Sequence, residues 1–234
     1  MKSHFVIFIS VVLFSCGNSS QNNPANAPDW VMTKAIQDKL TPDSIITILK
    51  NGNANFYNFK LSPKNDSMRV RVTADGQYPM AAVLSCLDSR VPPEHVFDRG
   101  IGDLFIARVA GNFANTDILG SLEYACPVSG AKVLLVLGHE NCGAIKSAID
   151  SVQGGNITAM LRNLKPAVDA THTTGKRTSE NKQFVHDVAV KNIELTIKKI
   201  RTDSKLLANM EKAGKLKIIG GMYDLADGKI TFMN

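Results

Sequence analysis

Residues 131–144 read AKVLLVLGHENCGA, an apolar run that gives way abruptly to polar residues. The continuous valine and leucine content is typical of a β-strand that is buried on both faces of a parallel sheet. His139 and Cys142 follow the run, and a second run, MAAVLS at residues 80–85, is followed in the same way by Cys86. Because the carboxyl ends of parallel strands meet at one edge of a sheet, we expect these three side chains to lie together there.

Two thiolates and one imidazole are ligands that suit zinc. Three protein ligands leave one coordination position open, which is the arrangement of a catalytic zinc site. Asp88 and Arg90 follow in the segment CLDSR, and their spacing favours a charge-assisted pair that orients the aspartate toward zinc-bound water. In such a site Asp88 is expected to be a conditional fourth ligand, which can occupy the open position only when it is freed from Arg90. The alternative is a closed zinc site that only stabilises the fold, with Asp88 as its permanent fourth ligand.

Buried strands alternate with helical patterns along the chain. The sequence predicts strands at 80–85, 104–110, 131–138, 215–225 and 229–234, and helices at 30–40, 42–52, 116–126, 141–150, 157–170 and 181–201. Gly52 is expected to end the second helix, and a polar, hairpin-like stretch is expected to lead from there to Gly76. The pattern indicates an α/β fold with a mainly parallel central β-sheet flanked by helices and an N-terminal helical arm.

The composition indicates one globular domain with a catalytic site. The chain has 234 residues, of which 44% are hydrophobic and 21% charged, so residues 30–234 are long enough to bury one large core. The formal net charge is +6 and the isoelectric point is about 9.1. The lysines and arginines are scattered and form no basic stripe interleaved with aromatic residues, which argues against a nucleic-acid partner.

The first residues resemble a bacterial lipoprotein signal. Residues 1–15 combine Lys2 with the apolar run FVIFISVVLF, and the signal would end in front of a lipidated Cys16. The polar residues 16–29 would then form a flexible tether to the membrane. We therefore expect a domain in the bacterial cell envelope that is anchored only through its N-terminal lipid and faces the periplasm. The alternative is an ordinary secretory peptide and a soluble periplasmic protein.

The number of cysteines argues against a disulfide framework. If Cys16 carries lipid, the three that remain are Cys86, Cys126 and Cys142, an odd number. Cys126 shares a helical face with Leu119 and Leu122, so we expect it to be a buried packing residue.

The motifs also resemble those of a known family. CLDSR, followed by VPPEHVFDRGIGDLFIARVAGN and then by GHENCGA, is similar to the β-class carbonic anhydrases. The similarity extends from about Ile45 to the closing GGMYDLADGKITF, roughly four fifths of the chain. The paired motifs are specific in this order and separation, whereas either one alone is a weak signal. The resemblance implies reversible hydration of carbon dioxide to bicarbonate and a proton, by zinc-bound hydroxide.

The resemblance further implies a Zn²⁺ ion on Cys86, His139 and Cys142, with Asp88 and Arg90 as the catalytic pair. It implies carbon dioxide and bicarbonate as the small-molecule partners. It also implies a homodimer, or a higher oligomer of dimers, with the active-site cleft at the subunit interface.

Three further residues match substrate-facing positions of the family, namely Gln77, Phe105 and Tyr124. Gln77 could instead cap a turn, and Phe105 could belong to the ordinary core. Some family members place a tryptophan three residues before the first cysteine, as part of an inhibitory bicarbonate site. Val83 stands at that position in this chain, so the resemblance does not carry this regulation over.

Two other functions remain open at this point. A relative with the same fold could hydrolyse carbon disulfide or carbonyl sulfide, and the ligand set does not separate that activity from carbon dioxide hydration. A zinc-binding envelope lipoprotein without catalytic activity is the alternative from another class. A zinc deaminase is disfavoured because His139 is not accompanied by the separate PCxxC motif of those enzymes.

Overall fold

The computed structural model of the protein describes residues 31–233. The strands in this range are β1 (Ala81–Ser85), β2 (Leu104–Arg108), β3 (Val133–His139), β4 (Lys217–Tyr223) and β5 (Ile230–Met233). The helices are α1 (Lys34–Lys39), α2 (Pro42–Tyr57), α3 (Asp66–Val72), α4 (Pro93–Val96), α5 (Thr116–Glu123), α6 (Gly143–Ile149), α7 (Gly155–Leu161), α8 (Lys165–Ala170), α9 (Lys182–Asp203) and α10 (Lys205–Lys212). A π-helical turn, Tyr124–Val128, continues α5.

The five strands form one sheet in the order β2-β1-β3-β4-β5. The first four strands of that order run parallel, and β5 pairs antiparallel with β4. Every residue of β1 and of β3 is buried, as their continuous apolar runs predict. The predicted α/β fold with a mainly parallel central sheet and flanking helices is therefore confirmed.

Side chains of β3 alternate between two cores, one on each face of the sheet. Leu134 and Val136 face the core that contains Phe184 of α9. Leu135 faces the opposite core, which contains Leu49 of α2. This alternation follows from the two-residue period of a strand, and each fully buried leucine stabilises the fold by about 1.5–3 kcal/mol.

Helix α2 is longer than the sequence pattern predicts. Gly52 does not end it, because the glycine lies inside the helix where α2 passes close to the backbone of Phe97. A Cβ atom at Gly52 would lie 1.9 Å from the carbonyl oxygen of Phe97, so the position requires the absence of a side chain. The prediction of a hairpin-like stretch before Gly76 was also wrong, since it contains α3, whose N-cap Asn65 accepts a hydrogen bond from Met68 N.

Other boundaries differ where local caps override the hydrophobic period. The predicted helix at 157–170 is divided into α7 and α8, with Pro166 in the first turn of the second helix. Helix α10 was not predicted, and Ser204 caps it through a hydrogen bond from Leu207 N. The predicted helix at 116–126 changes to π-helical geometry around Pro127, which has no N–H group to continue an α-helix.

The N-terminal arm is present as α1, which begins after its N-cap Thr33. Trp30, the predicted signal peptide of residues 1–15, the lipidation site Cys16 and the tether of residues 16–29 lie outside the described residues. Within residues 31–233, no helix combines the length and the apolar character that a membrane span requires.

Candidate metal centre

Three potential metal ligands meet at the carboxyl edge of the sheet. Cys86 follows the last residue of β1, His139 ends the neighbouring β3, and Cys142 is the N-cap of α6. Their ligand atoms all lie within 4.8 Å of one another, and the two sulfur atoms are 4.0 Å apart. All three residues are buried. The structure thus brings together the three side chains that the sequence placed at one sheet edge.

His139 presents a free nitrogen to this group. Its Nδ1 atom lies 2.9 Å from the carbonyl oxygen of Glu140, so Nδ1 carries the proton and donates it to that oxygen. The other nitrogen, Nε2, is buried and has no hydrogen-bond partner among residues 31–233. A buried polar atom without a partner is costly, and a metal ion at this place would satisfy the lone pair. The residues present therefore fit a metal ion.

The two cysteines form a coupled pair of sulfurs. The hydrogen bond from the Cys142 thiol, supported by one from the Gly111 N–H at 3.4 Å, lowers the pKa of Cys86 in spite of burial. The same contact and burial raise the pKa of Cys142. One negative charge is thus already favoured at Cys86, and a cation would favour the second thiolate as well.

Asp88 and Arg90 form a bidentate salt bridge beside the three ligands. Arg90 Nε donates to Asp88 Oδ1 at 3.0 Å, and Arg90 Nη2 donates to Asp88 Oδ2 at 2.8 Å. These hydrogen bonds hold the pKa of Asp88 well below its usual range. Asp88 Oδ2 also lies 3.9 Å from His139 Nε2. The carboxylate is thus held by Arg90 at the rim of the candidate metal centre.

Sequence reasoning missed Arg108, which holds the loop that carries Cys86 and Asp88. It lies at the end of β2, opposite Ser85 of β1. Its Nε donates to the carbonyl oxygen of Cys86 at 2.9 Å, and its Nη2 donates to that of Asp88 at 2.6 Å. The available signal was an arginine inside the apolar run LFIARVA, where a charged side chain needs a specific partner.

Gln77, Phe105 and Tyr124 lie away from this centre. Phe105 pairs in register with Ala82, four residues before Cys86, which corresponds to about 13 Å along the strand. The rings of Phe105 and Tyr124 are in edge contact, with centroids 6.4 Å apart. Gln77 and Tyr124 line one cavity of about 570 Å³ at the amino end of the sheet. Within one chain, the three predicted substrate residues are therefore grouped at the end of the sheet opposite the metal ligands.

Cys126 takes no part in the centre. It is fully buried within the core that contains Phe184, and burial raises the pKa of its thiol to about 12. The prediction that it is a packing residue is confirmed.

The sequence is similar to those of known proteins. Residues 81–230 match the family model described as carbonic anhydrase. A carbonic anhydrase from Mycolicibacterium smegmatis is 33% identical over 184 residues, which cover 78% of this chain and 88% of the relative.

Solved structures give the same fold. A β-carbonic anhydrase from Coccomyxa, solved in complex with acetazolamide, has a TM-score of 0.64 at 23% identity, covering 71% of this chain and 77% of that one. One of two tetrameric β-carbonic anhydrases from Sordaria macrospora has a TM-score of 0.62 at 24% identity, covering 81% and 96%. The motifs, the grouped cysteines and histidine, the family match and this fold agree, and the chain belongs to the β-class carbonic anhydrases, a family of enzymes.

Proposed function

We propose that this carbonic anhydrase is a zinc enzyme that reversibly hydrates carbon dioxide to bicarbonate and a proton. Cys86, His139 and Cys142 would hold the ion. The observation that carries the proposal is the buried Nε2 atom of His139, which has no partner among residues 31–233 and lies beside two sulfurs. Two thiolates and an imidazole are a suitable set of zinc ligands, and they leave one coordination position for water.

A zinc ion in this place would act as a Lewis acid that makes water nucleophilic near neutral pH and offsets the negative charge of the product. The residues around it would supply orientation. Asp88 would accept a hydrogen bond from the attacking water and so direct an oxygen lone pair toward carbon dioxide. Arg90, through its two hydrogen bonds, would keep that carboxylate turned toward water and away from the metal.

Arg108 would hold the backbone of the loop that carries Asp88. It binds the carbonyl oxygens on both sides of Leu87, so the backbone between the ligand Cys86 and the catalytic Asp88 is fixed at two points. Charge-assisted hydrogen bonds of this kind are among the stronger ones in proteins, and they would hold the carboxylate in the position that catalysis needs.

The substrate pocket, we infer, is completed by a second copy of the chain. Strand β2 is an edge strand, paired with β1 on one side only among the described strands. A two-fold axis beside β2 would place the β2 strands of two subunits antiparallel to each other. The amino end of each β2 strand would then lie near the carboxyl end of its partner. Phe105, Tyr124 and Gln77 of one subunit would then lie next to the metal ligands of its partner. In one chain alone Tyr124 is 55% exposed, as expected for a residue that a partner covers.

Mixed dimers test this arrangement. Cys142→Ser removes a metal ligand, whereas Gln77→Ala removes a polar substrate contact and is expected to lower hydration roughly 10²-fold. A dimer with one subunit of each kind should regain one working site, because the intact metal centre of the Gln77→Ala subunit meets the intact Gln77 of its partner. The measurement is carbon dioxide hydration by heterodimers purified through two different tags.

If each chain carried its whole site, the mixed dimer would be no faster than the Gln77→Ala homodimer. That result would contradict a substrate pocket built from two subunits, but it would not contradict the proposed metal ligands.

We also propose that such dimers assemble into a higher oligomer, as in the tetrameric Sordaria macrospora enzymes.

We place the enzyme in the bacterial cell envelope, anchored by lipid on Cys16 and facing the periplasm. The support is the sequence alone: an apolar signal before the cysteine and a polar tether after it. Two acyl chains at one cysteine would give a stable attachment. Mass spectrometry of the native N-terminus separates this from a soluble periplasmic form, which would begin with an unmodified residue.

The function itself is tested by stopped-flow hydration of carbon dioxide with purified protein of known zinc content. We expect hydration in proportion to bound zinc, near one ion per chain. The rate should fall as the medium is acidified, because the attack needs water that has lost a proton. Zinc-loaded protein without hydration activity would overturn the proposal, and a rate that stays flat from alkaline to mildly acidic pH would contradict the mechanism.

A further inference from the structure

The imidazole of His186 is paired with the side chain of Glu140, the residue that directly follows the ligand His139. His186 is on α9, and its Nδ1 atom is 2.6 Å from Oε1 of Glu140. The two residues are 46 positions apart in the sequence. Among residues 31–233, His186 is the one hydrogen-bond partner of the Glu140 carboxylate. The side chain that follows the metal ligand is therefore tied to another element of the fold.

Glu140 is held at its backbone as well. Its N–H donates to the carbonyl oxygen of Tyr223 at 2.9 Å, at the end of β4. Its own carbonyl oxygen accepts the Nδ1 proton of His139 at 2.9 Å. The direction of this one carbonyl group decides which nitrogen of His139 carries the proton, and so leaves Nε2 free to face the cysteines.

The residue that follows Glu140 has an uncommon backbone conformation. Asn141 has φ = +52°, in the left-handed region, which is uncommon for non-glycine residues although asparagine adopts it more readily than most. A turn of this kind needs outside contacts to keep one conformation. Helix α9 supplies a firm one, because Phe184, Val185 and Val188, which flank His186 in the chain, are buried.

We propose that His186 is a positioning residue for the metal centre. It fixes the Glu140 side chain, and thereby holds the Glu140 carbonyl group in the direction that selects the metal-binding form of His139. The inference rests on the proposed zinc centre, and it adds a residue on α9 that neither binds the metal nor touches the substrate. Through His186, the packing of α9 would influence the zinc affinity of the site.

The test is the zinc affinity of His186→Leu, measured by competition with a chromophoric chelator. Groups that contact a metal ligand directly typically contribute 10–100-fold in affinity, and His186 acts one contact further out, so we expect a loss at the low end of that range, about tenfold. His186→Asn keeps an N–H donor near the position of Nδ1 and should recover most of the affinity. Glu140→Ala should lose as much as His186→Leu, and the double variant no more than either, because both changes break the same contact.

Two controls separate positioning from a general loss of stability. His172→Leu changes an exposed histidine that makes no hydrogen bond or ion pair with Glu140 in the described part of the chain, and it should keep wild-type affinity. Thermal midpoints of the metal-free His186→Leu and His186→Asn proteins should differ by no more than the few degrees that one hydrogen bond contributes, although their zinc affinities differ by about tenfold. Wild-type affinity in His186→Leu, or equal losses in His186→Leu and His186→Asn, would overturn the positioning role alone. Wild-type protein that binds no zinc would overturn it together with the proposed function.

Discussion

Cys142→Ser is expected to remove bound zinc and hydration activity together. A serine hydroxyl is a much poorer zinc ligand than a thiolate, and the change leaves Cys86 and His139 as the only two firm ligands of the group. Loss of a partner outside the ligand shell already costs 10–100-fold in affinity, so loss of a ligand should cost more than about 100-fold. Zinc content after dialysis and stopped-flow hydration of the same sample measure both effects.

Cys126→Ala is the matched control. Cys126 is also a buried cysteine, but it lies in the apolar core and outside the group of ligands. Its replacement should lower the stability of the fold by the cost of a small cavity and leave zinc content and hydration per folded molecule intact. If Cys142→Ser kept full zinc content and the wild-type rate, Cys142 would not be a ligand and the proposed centre would be wrong.

The part of this site that the sequence reveals is the part made by neighbouring residues. His139 and Cys142 are three positions apart, and Asp88 and Arg90 are two apart, so strand ends and loop geometry bring each pair together. The meeting of Cys86 with His139 required one further assumption, that β1 and β3 are parallel neighbours, and their unbroken apolar content supported it.

The parts that the sequence does not reveal depend on contacts between distant elements. The bond between His186 and Glu140 follows from how α9 lies across the sheet, which no local pattern encodes. Gly52 looked like a helix end because its close approach to Phe97 is a tertiary contact. Phe105 was assigned to the substrate pocket by family resemblance, yet its distance from Cys86 in one chain becomes clear only from the register of β2.

Arg90→Leu is expected to lower hydration roughly 10²-fold while zinc remains bound. In the wild-type structure both carboxylate oxygens of Asp88 accept hydrogen bonds from the guanidinium group. Without that group the carboxylate can rotate, and Oδ2 already lies only 3.9 Å from His139 Nε2. Asp88 would then compete with water for the open position on the metal. The variant should therefore retain zinc at least as firmly as the wild type does.

Three measurements distinguish this closed site from a damaged fold. Zinc content should stay near one ion per chain, and an anion that competes with water, such as iodide, should bind the wild type but not Arg90→Leu. Arg71→Leu, which changes an exposed arginine on α3, should leave hydration and iodide binding unchanged. Replacing the freed carboxylate as well, in Asp88→Ala with Arg90→Leu, should restore iodide binding but not the rate, because the open position returns without the group that orients water. An Arg90→Leu variant with the wild-type rate would mean that Asp88 needs no partner to stay clear of the metal.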